Sequence, residues 1–181
     1  LKVDWYILEE ACTLLRYQLD NKLNPVPISI NFSRMHLVYE TCIPERLCQI
    51  VDKYHLEHKW IEIEITESAF INQPEAVSQF VKDVRSLGFS VAIDDFGSGL
   101  SSLSFVKDVE VDVLKIDRSL LSKNCETEKE RIVLESIFNF AHRLKLTTVA
   151  EGVETREQLG FLRTCDCKKI QGFLFARPEP T

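Results

Sequence analysis

An α/β fold with a parallel sheet follows from three features of the sequence: about six short β-branched runs, amphipathic stretches between them, and a polar residue closing nearly every run. The first two describe strand–helix repeats, in which parallel strands are joined by helical crossovers. The third chooses the architecture. Polar groups offered from the C-terminal ends of many strands belong to a TIM-like (β/α)8 barrel, where each strand gives one residue to a common mouth. An open doubly wound sheet gathers its contacts at one switch point instead. The expectation is a modified (β/α)8 barrel, incomplete and short of the usual eight strands by about two.

A helical pattern at 4–19 leads to a strand at 28–31, ISIN, which Asn31 closes. The helix at 44–54 starts on Pro44, whose missing N–H is harmless in a first turn. IEIEITE puts a strand at 61–66 and ends it with Glu64 and Glu67. Pro74 opens the helix at 74–87 and Gly88 stops it. VAIDD then ends the strand at 90–94 on two adjacent carboxylates, Asp94 and Asp95. VLKID gives a strand at 113–116 with Lys115 and Asp117 near its end, and TTVA at 147–150 is followed by Glu151. Helices at 128–144 and 155–163 flank TTVA, and KIQGF opens a last strand at 169–174 that contains Gln171. Within 128–144, the ridge of Ile132, Ser136, Phe140 and Leu144, with Val133, Ile137 and Ala141 beside it, is expected to face the core.

With 181 residues and 45% hydrophobic content, the chain is expected to form a single domain, 1–181, around a sizeable core. A net charge of −6 argues against a protein that holds polymeric nucleic acid by neutralising phosphates. An anionic ligand would therefore need a local cation. No apolar run approaches the ~20 residues of a membrane span, and the first residues carry no signal-peptide pattern, so a cytoplasmic location is expected. The six cysteines, at 12, 42, 48, 125, 165 and 167, form no CxxC pair and read as reduced, partly buried thiols.

If the strand ends converge, Asn31, Glu64, Asp94 and Asp95 supply hard oxygen ligands, a set that suits Mg2+ or Mn2+ and disfavours Zn2+. Adjacent aspartates repel each other, and a divalent pair would offset that charge while driving an in-line phosphoryl displacement. Lys115 would add a fixed positive charge for the developing phosphorane, and Glu151 is placed to accept a proton or order the water.

Each group also has a plainer reading. A DD pair before glycine is commonly a turn or a cap. IEIE is commonly the solvent face of an edge strand. Lys115 and Asp117 could form a local ion pair, and Glu151 and Glu154 could place negative charge at a helix N-terminus. His55 and His58, in YHLEH, read as solvated connector residues, and Cys165 and Cys167 in TCDCKK have no partner pair. The recurrence of acidic groups at successive strand ends is what these separate readings do not explain.

NFS at Asn31, EITES from Glu64, DDFGSG from Asp94, LKIDRS around Lys115, AEGVET around Glu151 and QGFLFARP from Gln171 occur in one order along essentially the whole chain. In these motifs the sequence resembles the bacterial EAL family, phosphodiesterases that hydrolyse cyclic di-GMP to linear pGpG on a modified (β/α)8 barrel. The resemblance implies that Asn31, Glu64, Asp94 and Asp95 hold a metal pair, with Asp95 also among the catalytic groups. Lys115 and Glu151 would assist the attacking water, and Glu154 and Gln171 would line the mouth. It implies that Glu67 props the loop after the paired aspartates and places Asp117 among the supporting residues.

Three departures stand out. Leu100 replaces the family's usual tyrosine, and Lys168 replaces an aspartate near Gln171. The Glu-Ala-Leu signature is absent, and with it a metal-ligating glutamate and a phosphate-gripping arginine. One lost carboxylate is expected to cost on the order of several tenfold factors in rate, leaving this chain by itself inactive or severely impaired. A non-catalytic cyclic-dinucleotide sensor or protein-docking module is the alternative. Strand edges at 28–31 and 170–174 would need covering by another segment or chain, a homodimer being one solution. Family members commonly sit behind sensory or GGDEF domains, so a larger parent protein is expected.

Overall fold

The computed structural model describes residues 1–40, 42–98, 106–121 and 127–178. Leu100 and Cys125 lie outside them. The chain divides into two compact units, Leu1–Ala92 with Leu103–Val111, and Ile93–Ser102 with Asp112–Thr181.

In the first unit, α1 (Lys2–Asp20) precedes β1 (Ile28–Asn31), α2 (Met35–Tyr39) and α3 (Ile43–Lys53). There follow β2 (Ile61–Thr66), α4 (Glu67–Asn72), α5 (Pro74–Ser86) and the start of β3 (Ser90–Phe96). β1 and β2 are parallel, with Ile28 opposite Ile61 and Asn31 opposite Glu64, and β2 neighbours β3. Helix α1 lies on β1 and buries Trp5, Leu8, Cys12 and Leu15. Both faces of β2 are buried: Ile61, Ile63 and Ile65 on one side, Glu62 and Glu64 on the other. The acidic residues of IEIE therefore do not form a solvent face. Glu62 is held by two hydroxyls, Ser29 Oγ donating to Oε1 at 2.9 Å and Ser90 Oγ to Oε2 at 3.2 Å.

The helices start and stop where the sequence punctuates them. Pro44 and Pro74 occupy the first turns of α3 and α5, and Gly88, at φ +93°, takes the left-handed turn after α5. His58 uses both ring nitrogens, Nδ1 donating to Leu87 O at 2.6 Å and Nε2 lying 3.0 Å from Asp52 Oδ1, and it stacks on Phe89. His58 is thus a structural strut between α3 and the end of α5. The short helices α2 and α4 are absent from the sequence-based reading, whose strand at 61–66 is β2 as observed.

The second unit holds the end of β3, β4 (Val113–Ile116), α6 (Glu128–Arg143), β5 (Thr147–Ala150), α7 (Arg156–Thr164) and β6 (Lys169–Ile170). β3 neighbours β4, and β4–β5 and β5–β6 are parallel. Capping boxes start both helices, Thr127 with Glu130 in α6 and Thr155 with Gln158 in α7. Ile116, Leu134, Phe138, Ala150, Val153 and Leu162 form the core.

Two expectations are corrected here. The buried side of α6 is Leu134, Phe138 and Ala141, whereas Ile132 and Val133 are half exposed and Leu144 is also exposed. Of the expected set, Ala141 and Ile137 do pack on the core, while the ridge of Ile132, Ser136, Phe140 and Leu144 gives way to Leu134 and Phe138. β6 is also shorter than the predicted 169–174, because the chain bends after Ile170 to hydrogen-bond both sides of the β5 exit. Gln171 N donates to Ala150 O at 2.8 Å, and Val153 N donates to Gln171 O at 3.0 Å. A Cβ at Gly172 would overlap the Val153 backbone, so only glycine permits this approach.

Candidate metal centre

The end of β3 places two carboxylates side by side. In a regular strand Asp94 and Asp95 would point to opposite faces. Asp95 instead adopts φ +55°, a left-handed conformation that aspartate tolerates, and its carbonyl accepts from Ser98 N at 3.1 Å. A turn over Asp95–Ser98 thus closes β3, and the left-handed Asp95 at its start brings the two carboxylates together.

Lys115 on β4 is the register partner of Val149 on β5, so Glu151, two residues further on, leaves the same face. Lys115 Nζ lies 2.9 Å from Asp94 Oδ1 and 2.8 Å from Glu151 Oε1. Carboxylate oxygens of Asp94, Asp95 and Glu151 all lie within 4.8 Å of one another. Two carboxylates thus hold one ammonium with a third carboxylate beside them, and Asp94 and Lys115 are each only 7% exposed. Burial, then the charges of Asp94 and Asp117, push the Asp95 carboxyl above its usual range against the opposing pull of Lys115. The uncompensated charge, the all-oxygen donors and the tight spacing fit a hard divalent cation.

The supporting residues sit around the exits of β4 and β5. Asp117 does not pair with Lys115; its Oδ1 accepts from Ser119 N at 2.8 Å, and its own amide donates to Phe96 O. Glu154 is exposed, and its amide donates to Gln158 Oε1 at 2.8 Å. Glu151 is no cap for α7, since Thr155 and Gln158 do that work. Gln171 is exposed and held by the β5 exit as described above.

In the first unit, Asn31 and Glu64 are register partners on β1 and β2, so their side chains leave the same face. Glu64 is buried at 4% exposure and Asn31 is exposed. Glu67 is buried as the first residue of α4. Around Asn31 an open cleft of about 380 Å3 is lined by Asp4, Phe32, Ser33, Arg34, Thr66 and Ser68. Asp4, His36 and Glu40 drew no attention in the sequence, where only the i, i+4 spacing of His36 and Glu40 signals a pairing.

Cys167 is partly buried, its thiol pushed up by burial, and Cys12 is pushed up to about 11 for the same reason. Cys12, Cys42, Cys48, Cys165 and Cys167 are free thiols.

The EAL domain family matches residues 2–178, and the chain belongs to it. The bifunctional diguanylate cyclase/cyclic di-GMP phosphodiesterase MucR of Pseudomonas aeruginosa is 30% identical over 180 residues, which are 99% of this chain and 26% of that protein. The solved PaMucR phosphodiesterase in complex with c-di-GMP superposes with a TM-score of 0.90 at 30% identity, covering 99% of this chain and 72% of that one. A manganese and cyclic-di-GMP complex of Klebsiella pneumoniae BlrP1 gives a TM-score of 0.84 at 29% identity, covering 94% and 44%. The parallel strands and their helices are those of the EAL α/β barrel. The chain spans about a fifth to three tenths of the length of the curated relatives it matches. Among the described residues no helix is long and apolar enough to cross a membrane.

Proposed function

We propose that this chain belongs to a cytoplasmic phosphodiesterase domain that hydrolyses cyclic di-GMP to linear pGpG with Mg2+ or Mn2+. The observation that carries the reading is the meeting of Asp94, Asp95 and Glu151, two of them paired with Lys115. Asp94 and Asp95, with Asn31 and Glu64, are the metal ligands of this proposal. When bound, divalent ions lower the pKa of a water and stabilise both oxygens of an in-line displacement. Glu151 would order the attacking water and accept its proton, and Lys115, paired with Glu151, would offer positive charge to the phosphoryl oxygens. Glu154 and Gln171 line the substrate mouth; Glu67 and Asp117 support the loops beside it. Relatives that bind or hydrolyse cyclic di-GMP support the substrate, and the manganese complex of one of them supports the metal.

Leu100 stands where the family usually has tyrosine, and that departure favours a second reading, a sensor that binds cyclic di-GMP without cleaving it. Incubation with cyclic di-GMP and Mn2+, beside an Asp94→Asn control, separates the two. Slow pGpG formation that the control abolishes supports the enzyme, and saturable binding without pGpG supports the sensor. The short span relative to MucR supports a place within a larger signalling protein, with a GGDEF or sensory domain as neighbour.

A further inference from the structure

Residues 32–40 form a connector that binds no predicted ligand, yet it contains a fully buried imidazole. His36 is 0% exposed, with Nε2 2.8 Å from Asp4 Oδ2 and Nδ1 3.2 Å from Glu40 Oε2. Its ring stacks on Phe32 with centroids 4.1 Å apart, and Trp5 meets both rings edge-on. The two carboxylates are themselves held. Asp4 Oδ2 also accepts from Ser33 N at 3.2 Å, Trp5 Nε1 donates to Glu40 at 3.0 Å, and Arg46 lies 3.5 Å from Glu40 over the Trp5 ring.

These contacts converge on the two residues that follow Asn31. Phe32 is fixed by its ring, stacked between His36 and Phe80, and by its amide, which donates to Glu64 O at 2.8 Å. Ser33 is fixed by Asp4, the same carboxylate that holds His36. Asn31 is exposed and sits on the last residue of a four-residue strand, so its direction depends on how the chain leaves that strand. A polar ring buried between carboxylates is a costly way to stabilise a fold, and fixing one geometry is a better-attested use for it.

We propose that Asp4, His36 and Glu40 form a positioning device for Asn31, fixing the Phe32–Ser33 exit so that the Asn31 amide oxygen stays aimed at a divalent cation. The proposal rests on the reading of Asn31 as a metal ligand. Outer partners that orient a ligand are worth about 10–100-fold in metal affinity.

The test measures Mn2+ binding to the 181-residue chain, read from the free-ion EPR signal, for Asn31→Ala, His36→Phe and the double variant. His36→Phe keeps an aromatic ring on Phe32 and removes both polar contacts. The expected result is a roughly tenfold rise in Kd for His36→Phe, partial recovery in His36→Gln, and no added effect of His36→Phe in the Asn31→Ala background. Circular dichroism confirms the fold, and Asp4→Asn, which weakens the hold on Ser33, replaces His36→Phe in the cycle if that variant does not fold. If Asn31→Ala leaves Kd unchanged, the ligand reading fails and takes the proposal with it. If Asn31→Ala weakens binding but His36→Phe alone leaves Kd unchanged, or its effect adds in full to that of Asn31→Ala, positioning alone is refuted.

Discussion

Lys115 Nζ sits 2.8 Å from Glu151 Oε1 across the β4–β5 pair, although neither residue is the other's register partner. The same ammonium reaches Asp94, and both side chains of that second pair are about nine-tenths buried. Lys115→Met therefore leaves a buried carboxylate without its cation, which costs about 3 kcal/mol in metal-free protein. Thermal unfolding in EDTA is expected to show this loss, with Mn2+ restoring part of it because the ion supplies the missing charge. The same loss with and without Mn2+ would show that no ion enters beside Asp94.

The Asp95 carboxyl titrates above its ordinary 3.8 in the folded chain, through burial first and the neighbouring aspartates second. Between the unfolded and folded values the native state binds more protons than the unfolded one, so stability falls as pH rises through that window. Asp95→Asn removes this decline. In EDTA the variant is expected to exceed the parent in stability at pH 7, the gap closing towards pH 4; urea unfolding across that range reads it. A gap that stays constant with pH would assign the effect to something other than this ionisation.

Gly172→Ala drives a methyl into the Val153 backbone. We expect a loss of about 1–3 kcal/mol, as for other overpacked sites. Because Gln171 is held by the same β5 exit, affinity for cyclic di-GMP is expected to fall while far-UV circular dichroism stays near the parent's. Calorimetric titration with the dinucleotide checks this, and unaltered affinity would remove Gln171 from the mouth.

Among the described residues β1 has a strand neighbour on one side alone, β2. An unpaired edge of this kind invites another strand. Light scattering after gel filtration is expected to give a mass above the 20.9 kDa of one chain, growing with concentration. A monodisperse monomer throughout would rule out the homodimer.

Much of the centre was legible because barrel strands end where function begins. Asp94, Lys115 and Glu151 announce themselves by position after VAI, VL and TTVA. What the sequence hid depends on three-dimensional context. Helices α2 and α4, of five and six residues, are too short to show a period. Two apolar faces on α6 let periodicity favour the more exposed ridge, and the shortening of β6 accompanies the close approach of Gly172 to Val153. His36 looked like any polar connector residue, since Asp4 lies far from it in sequence.

The bracket of Ser29 and Ser90 around Glu62 has a bearing on how the chain finds its alignment. A slip of β2 by one place against both neighbours would carry Glu62 away from both hydroxyls and put its isoleucines on the face that Glu62 and Glu64 now occupy. The carboxylate acts as a key cut for one lock, so the alignment of three strands is specified by a side chain other than those assigned to the mouth.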